Sequence, residues 1–418
     1  MKKAGVKTLT SEQEQIVQHI PLAGEIIVVN AYAGTGKTTT CKAVVNRHTS
    51  QRFLYLVFNS AMQKAVQKDF ASCRTTHSLA LEFTKSCFPN MLPPMGYIAS
   101  HFRTSANLNH FFQTPLDHPT MEEAIVIWDE MKRGTRPFTH DAYLKYFCSH
   151  PRAADWVASQ WDCVMIDEAQ DTNAALAHFM LSIPAITLYL VGDPHQGIYK
   201  FRNAVNMMEL APPKALRFYL TQSFRFGAEL GEFATVYIRL QKCIPNMPPI
   251  VGCAPHATII HRSGTCPHPH VIISKTNAAG FRKALEVVKS GKKVFFAKGK
   301  DVIQGFRTVI EKYGNQKDLQ EEMEDAQRKG DFELFFQLDM LALHKKERLI
   351  EMVDTVEKGL ARTMKSAFAT VMTCHASKGL EFDHVVINHD MTARSEDPQV
   401  QNLYYVGITR AKKSLYLA

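Results

Sequence analysis

The 418-residue sequence predicts an α/β fold of two tandem parallel sheets, each covered by helices. Three observations carry that prediction. Short, continuously apolar runs recur along the chain, each ending in polar or glycine-containing residues. Stretches with helical periodicity separate them, an alternation that buries both faces of a parallel sheet and leaves its strands without a polar side. The runs also fall into two sets, one in each half of the chain.

The first set is "EIIVVNA", "RFLYLVFN", "DCVMIDE", "TLYLVGD" and "LRFYLTQ". Between "CRTTHS" and "WDCVMIDE" lies a helical, Pro-punctuated segment that reads as an insertion in the first layer. The second set is "ATIIHR", "HVIISKTN", "KKVFFAKG", "FATVMTCH", "DHVVIN" and "KSLYLA". Its interruption is rich in Glu, Lys, Gln, Leu and Met with the period of amphipathic helices. The expected organisation is therefore a first layer over residues 1–78 and 161–215, with an insertion at 79–160. A second layer spans 216–304 and 366–418, with a short insertion at 305–365.

Composition narrows the class. Lys and Arg outnumber Asp and Glu by 49 to 40, a formal charge of +9 that suits a polyanionic partner. The nine cysteines are scattered without CxxC pairs, as expected of reduced thiols rather than a disulfide framework. No apolar run approaches the ~20 residues that span a bilayer, and "MKKAGVKTLTSEQEQ" has a charged start without an apolar stretch behind it. The expectation is an intracellular protein of cytoplasm or nucleus, neither secreted nor membrane-bound.

Chemistry enters at "AYAGTGKTTT", Ala31 to Thr40, which follows an apolar strand and opens a helix. A strand, a Gly-containing loop and then Lys and Thr at a helix start point backbone N–H groups at phosphate oxygens. Ala33, Gly34, Thr35, Gly36, Lys37, Thr38 and Thr39 would cradle a nucleotide. Lys37 would reach the β- and γ-phosphates, and the Thr38 hydroxyl would ligate Mg²⁺. The strict pattern has Gly where this chain has Ala31, while Gly34 and Gly36 keep the positions of closest backbone approach.

A second motif decides what the phosphate is for. "CVMIDEAQD" puts Asp167 and Glu168 at the end of an apolar strand, the edge where ligands sit in α/β sheets. An acidic strand end alone is commonly a helix cap. Beside a phosphate loop, Asp167 reads as the second Mg²⁺ ligand and Glu168 as the residue that orients and deprotonates the attacking water. The phosphate loop alone leaves kinase, GTPase and motor ATPase open; with the carboxylate pair the reaction implied is hydrolysis.

In order, "LTSEQEQ", "AYAGTGKTT", "RTTHS", "MIDEAQD", "VGDPHQGIYKFRNA", "LTQSFRFG", "VMTCHASKGLEFD" and "YYVGITRAKK" resemble the motif series of the UvrD/Rep/PcrA branch of superfamily-one helicases. Phe58 and Asn59 lean toward the F-box DNA helicase subgroup, with no F-box segment read in this sequence. The resemblance implies two RecA-like motor domains with ATP hydrolysed at their interface. It further implies that Gln13 reads adenine, Gln196 senses the γ-phosphate, Glu381 lies near the nucleotide, and Arg225 and Arg410 are arginine fingers. Thr76, His77, Thr373, His375 and Lys378, with Phe58 and Asn59, would contact DNA.

Single-strand binding needs π-faces for bases and donors for phosphates. In "GIYKFRNA", Tyr199, Phe201 and Arg202 supply both directly after Gln196. The family usually has Trp where Phe201 stands. By resemblance the chain is expected to move 3′ to 5′ on single-stranded DNA and to open single/double-strand junctions. The short 305–365 insertion leaves two alternatives, a translocase that strips proteins from DNA and an ATP-gated recruitment module. The histidines and cysteines of "CAPHATIIHRSGTCPHPH" are spaced too irregularly for a zinc site.

Overall fold

The computed structural model describes residues 8–87, 112, 122–136, 138–316, 318–328 and 331–417. Part of the 79–160 segment thus lies outside the described residues. The chain divides into two compact units, Met1–Thr221 and Gln222–Ala418.

The first unit contains six parallel strands: β1 Ile26–Ala31, β2 Phe53–Val57, β3 Cys73–Thr75, β4 Cys163–Asp167, β5 Thr187–Gly192 and β6 Leu216–Leu220. Their order is β3-β2-β4-β5-β1-β6. Side-chain alternation explains why the strands are apolar throughout. Ile27, Val29, Tyr55 and Met165 pack on one face with Ile16 of helix α1 (Ser11–Gln18) and Val44 of α2 (Lys37–Arg47). Val28, Leu54, Leu56, Val164 and Ile166 pack on the other face, with Phe83, Phe147 and Met180. Those three come from α4 (Thr76–Cys87), α6 (His140–Ser149) and α8 (Ala174–Leu181), which follow α3 (Ser60–Val66), α5 (Glu122–Arg133) and α7 (Ala153–Gln160) respectively.

β6 corrects the expected boundary. The run "LRFYLTQ" groups with the first set, while the expected boundary at 215 falls before it; β6 pairs with β1 through Val29↔Phe218, and the division falls after Thr221, so the grouping holds and the boundary moves. A strand's own residues do not say which sheet accepts its hydrogen bonds. β3 also escaped sequence reading, because three residues give too short a run to show a period.

The second unit has its own parallel sheet: β7 Ile259–His261, β8 His270–Ser274, β9 Val294–Phe296, β10 Ala369–Thr373, β11 Phe382–Ile387 and β12 Ala411–Leu417. The order is β7-β12-β11-β8-β10-β9. Helices α9 (Ala228–Gln241) and α10 (Asn277–Lys289) precede a helical layer of α11 (Asp301–Tyr313), α12 (Gln320–Arg328) and α13 (Phe332–Lys358). Phe306, Leu338, Leu349 and Val353 of that layer share one core with Val371 of the sheet. The backbone of α13 breaks at Lys345, where φ is 61°. The chain ends through α14 (Cys374–Ser377), α15 (Pro398–Ile408) and β12. Among the described residues, no helix is long and apolar enough to cross a membrane. Both units are parallel sheets flanked by helices, the tandem RecA-like arrangement.

Candidate nucleotide and nucleic-acid site

Strand order brings the first-unit residues together. β2, β4, β5 and β1 are successive neighbours, so Asp167, Gly192 and Ala31 end adjacent strands at one sheet edge. From Ala31 the chain turns through Gly34 (φ 77°) and Gly36 (φ 81°) into α2, whose first residue is Lys37. Both glycines occupy the left-handed region that side chains disfavour. Ala31 does not: it closes β1 in extended backbone, fully buried, so Ala in place of Gly introduces no strain there.

Gln13 is buried beside the loop. Its side chain completes the capping box of α1 with Thr10, and its Nε2 donates to the Thr35 carbonyl at 3.4 Å. Thr35 in turn donates through Oγ1 to the Tyr32 carbonyl at 2.8 Å.

Carboxylates converge on the loop from the next strands. Lys37 Nζ lies 3.1 Å from Glu168 Oε1, with both side chains largely buried. Burial alone would lower the Lys37 pKa, but Glu168, Asp167 and Asp193 together outweigh it and hold the ammonium above its ordinary range. Asp167 is pushed up to about 6 by its own burial and then by the charge of Glu168, against the opposing pull of Lys37. Its Oδ2 accepts the Tyr55 hydroxyl at 2.8 Å, and its Oδ1 accepts the Glu168 N–H at 3.0 Å. Glu168 itself has φ 55°, an unusual conformation for a non-glycine residue and a common one at functional sites.

Three acidic side chains about one ammonium leave negative charge for a cation to neutralise. Mg²⁺ keeps waters and substrate oxygens in its shell and needs only one or two protein carboxylates, which Asp167 with the Thr38 hydroxyl fits. Among the described residues, no three His, Cys, Asp or Glu side chains form a group that could by itself hold a metal ion.

Gln170 links this edge to the next loop. Its Nε2 donates to Glu168, and its Oε1 accepts the Asp193 N–H at 3.1 Å. Asp193 Oδ2 accepts from Gln196 Nε2 at 2.7 Å, and Asp171 Oδ1 accepts the Ile198 N–H at 3.2 Å. The loop runs on to Tyr199, whose ring stacks on Phe58 at 5.1 Å and has the Arg202 guanidinium 5.6 Å from its centroid. The side chain of Phe201 lies outside the described residues. Asn59 caps α3 by accepting the Met62 N–H at 2.9 Å. Thr76 opens α4, and His77 Nε2 lies 3.3 Å from Asp141 Oδ1. Thr38 and Thr39 lie in the first turn of α2, and Ala33 is buried in the loop before it.

In the second unit, residues far apart in sequence meet. Arg225 donates from Nε to Glu381 Oε2 and from Nη1 to the Thr409 carbonyl, each at 3.1 Å. Arg410 is 1% exposed. It donates to the Val406 carbonyl at 2.9 Å, the Leu380 carbonyl at 3.2 Å and Thr409 Oγ1 at 3.1 Å. Thr373 caps α14 through the Ala376 N–H at 3.3 Å, with His375 and Lys378 in and just after that helix. Of the irregular histidines, His268 stacks on His384 at 4.6 Å and His261 on Tyr416 at 4.2 Å.

The UvrD/REP helicase N-terminal domain profile matches residues 135–212, and the UvrD-like helicase C-terminal domain profile matches residues 368–418. Among curated proteins, F-box DNA helicase 1 of Gallus gallus is 28% identical over 98% of this chain and 49% of its own length. F-box DNA helicase protein 1 of Schizosaccharomyces pombe is 24% identical over 98% of this chain and 57% of its own length. The chain therefore spans about half the length of these relatives. It resembles the UvrD-like helicases in both units.

Within this UvrD-like arrangement, sequence reading passed over Tyr55, Gln170 and Gly192. Tyr55 reads as one more aromatic in an apolar strand. Gln170 is visible in "DEAQD", but its two partners lie on different loops. A Cβ on Gly192 would stand 2.1 Å from Gln170 Oε1, so this glycine makes room for the bridge.

Proposed function

We propose that this chain is an ATP-driven DNA motor that translocates on single-stranded DNA and separates duplex at single/double-strand junctions. The observation that carries the reading is the short connection between fuel and track. Gln170, Asp193 and Gln196 bond the Glu168 edge to the loop that presents Tyr199 against Phe58. The UvrD-like matches and the DNA helicase relatives support it.

Lys37 would leave Glu168 for the β- and γ-phosphates, and Glu168 would then orient the water that attacks the γ-phosphate. Thr38 and Asp167 would hold Mg²⁺, which when bound would supply positive charge to the phosphate oxygens. Gln13 would read the adenine edge, Gln196 would register the γ-phosphate, and Glu381 would border the nucleotide. Arg225 and Arg410 would stabilise the transferring phosphoryl group, so that hydrolysis depends on the second unit. Tyr199 and Phe201 would stack bases, with Phe58, Asn59, Thr76, His77, Arg202, Thr373, His375 and Lys378 on the strand's path.

The test measures ATP hydrolysis with and without single-stranded DNA beside a strand-separation assay, with Lys37→Ala as the control. Stimulation with strand separation supports the helicase reading, and stimulation alone supports a translocase. Hydrolysis indifferent to DNA, or undiminished in Lys37→Ala, refutes the motor.

A further inference from the structure

Tyr55 is a buried polar side chain to which the proposed mechanism gives no task. It sits inside β2, 1% exposed, with its ring stacked on Phe70 at 3.9 Å and nearly parallel to it at 4°. Its hydroxyl donates to Asp167 Oδ2, while the Glu168 N–H occupies Oδ1. The two oxygens are held from different strand positions, so the carboxylate plane cannot turn without breaking one of the bonds. Strands buried on both faces are ordinarily aliphatic, and a hydroxyl there must find a partner. Here its partner is the residue expected to hold a divalent cation.

We infer that Tyr55 is a positioning residue for the divalent-cation site, holding the Asp167 carboxylate in one orientation. Phe70 supports it by fixing the ring. The inference rests on the nucleotide reading above and adds the residue that sets the site's cation requirement. Groups that hydrogen-bond a metal-ligating carboxylate fix its direction, and losing one typically weakens metal affinity about 10–100-fold.

Tyr55→Phe removes the hydroxyl and keeps the stacked ring. The full chain and the variant are titrated with a fluorescent ADP analogue across Mg²⁺ concentrations and again in EDTA, so that no turnover is needed. The expected result is a Mg²⁺ midpoint for nucleotide binding raised about tenfold, with affinity in EDTA unchanged within about twofold. An unchanged midpoint overturns the inference, as does an equal loss with and without Mg²⁺, which would mark Tyr55 as purely structural. If the unsubstituted chain fails to bind the analogue in Mg²⁺, the nucleotide reading falls and takes the inference with it. Failure confined to the variant comparison leaves that reading standing.

Discussion

Gly192→Ala should loosen the connection between the carboxylate edge and the following loop, and the size of the effect follows from three distances. The new Cβ would lie 2.1 Å from Gln170 Oε1, 3.0 Å from Met208 Sδ and 3.1 Å from the Ala169 nitrogen. Met208 can yield at its flexible end. Gln170 must retreat by about 1.3 Å to reach the 3.4 Å of ordinary contact, which breaks its bond from the buried Asp193 N–H. An orphaned buried N–H costs about 1–3 kcal/mol, and losing the Gln170 bond to ionised Glu168 adds about 1.5–3 kcal/mol. Reduced freedom of the unfolded chain returns about 0.4–1 kcal/mol. The net expectation is about 1.5–5.5 kcal/mol of destabilisation. All three tryptophans, Trp128, Trp156 and Trp161, lie in the first unit, so selectively excited tryptophan fluorescence during urea unfolding reports that unit alone. In a Gln170→Ala background the clashing atom is gone, and Gly192→Ala should then be nearly neutral. Equal effects of Gly192→Ala in both backgrounds would refute the bridge.

Three further outcomes are expected. Arg410→Ala should lower kcat about 10³-fold if the guanidinium acts on the transition state, and it should also cost about 2–4 kcal/mol of second-unit stability because the Val406 and Leu380 carbonyls lose a buried donor. Arg410→Lys should restore little of either, since the planar fork is lost, as steady-state kinetics and calorimetry would show. Tyr199→Ala should weaken single-strand affinity by about 1–3 kcal/mol with basal hydrolysis retained, whereas a purely structural Tyr199 would lower the melting temperature and leave DNA affinity per folded molecule intact. The second unit should also lose stability in acid. Burial, and then neighbouring histidine charge, holds His384 below its ordinary pKa, and burial does the same for His270 against the bond its Nδ1–H donates to the His268 carbonyl. The unfolded chain therefore takes up protons first as pH falls below about 6.5, and stability fully present above that pH is lost on the way down. Calorimetry of His384→Gln between pH 8 and 5.5 should show a flatter decline than the parent.

The sequence by itself determined most of the covalent logic of this protein. Continuous apolar runs dictated strands buried on both faces, and "AGTGKTT" dictated a tight turn into a helix, since only glycine freely takes the left-handed turns at Gly34 and Gly36. The placing of Asp167 and Glu168 at a strand end was equally legible in "CVMIDE", because a polar pair terminates an apolar run. Tertiary structure decided what no run or spacing encodes: which strands are neighbours and which side chains meet across them. β6 joins the first sheet by hydrogen bonds to β1, and its own residues do not specify that partner. Ala31 is tolerated because the position it fills is extended strand rather than turn. Tyr55 reaches Asp167 only because β2 lies beside β4, and Gln170 spans Glu168 and Asp193 only because Gly192 leaves space. Arg225 finds Glu381 across 156 residues of chain. Local sequence fixes backbone preference and burial pattern over a few residues. Contacts made at long separation are settled only when the sheets close and every buried polar group must find a partner.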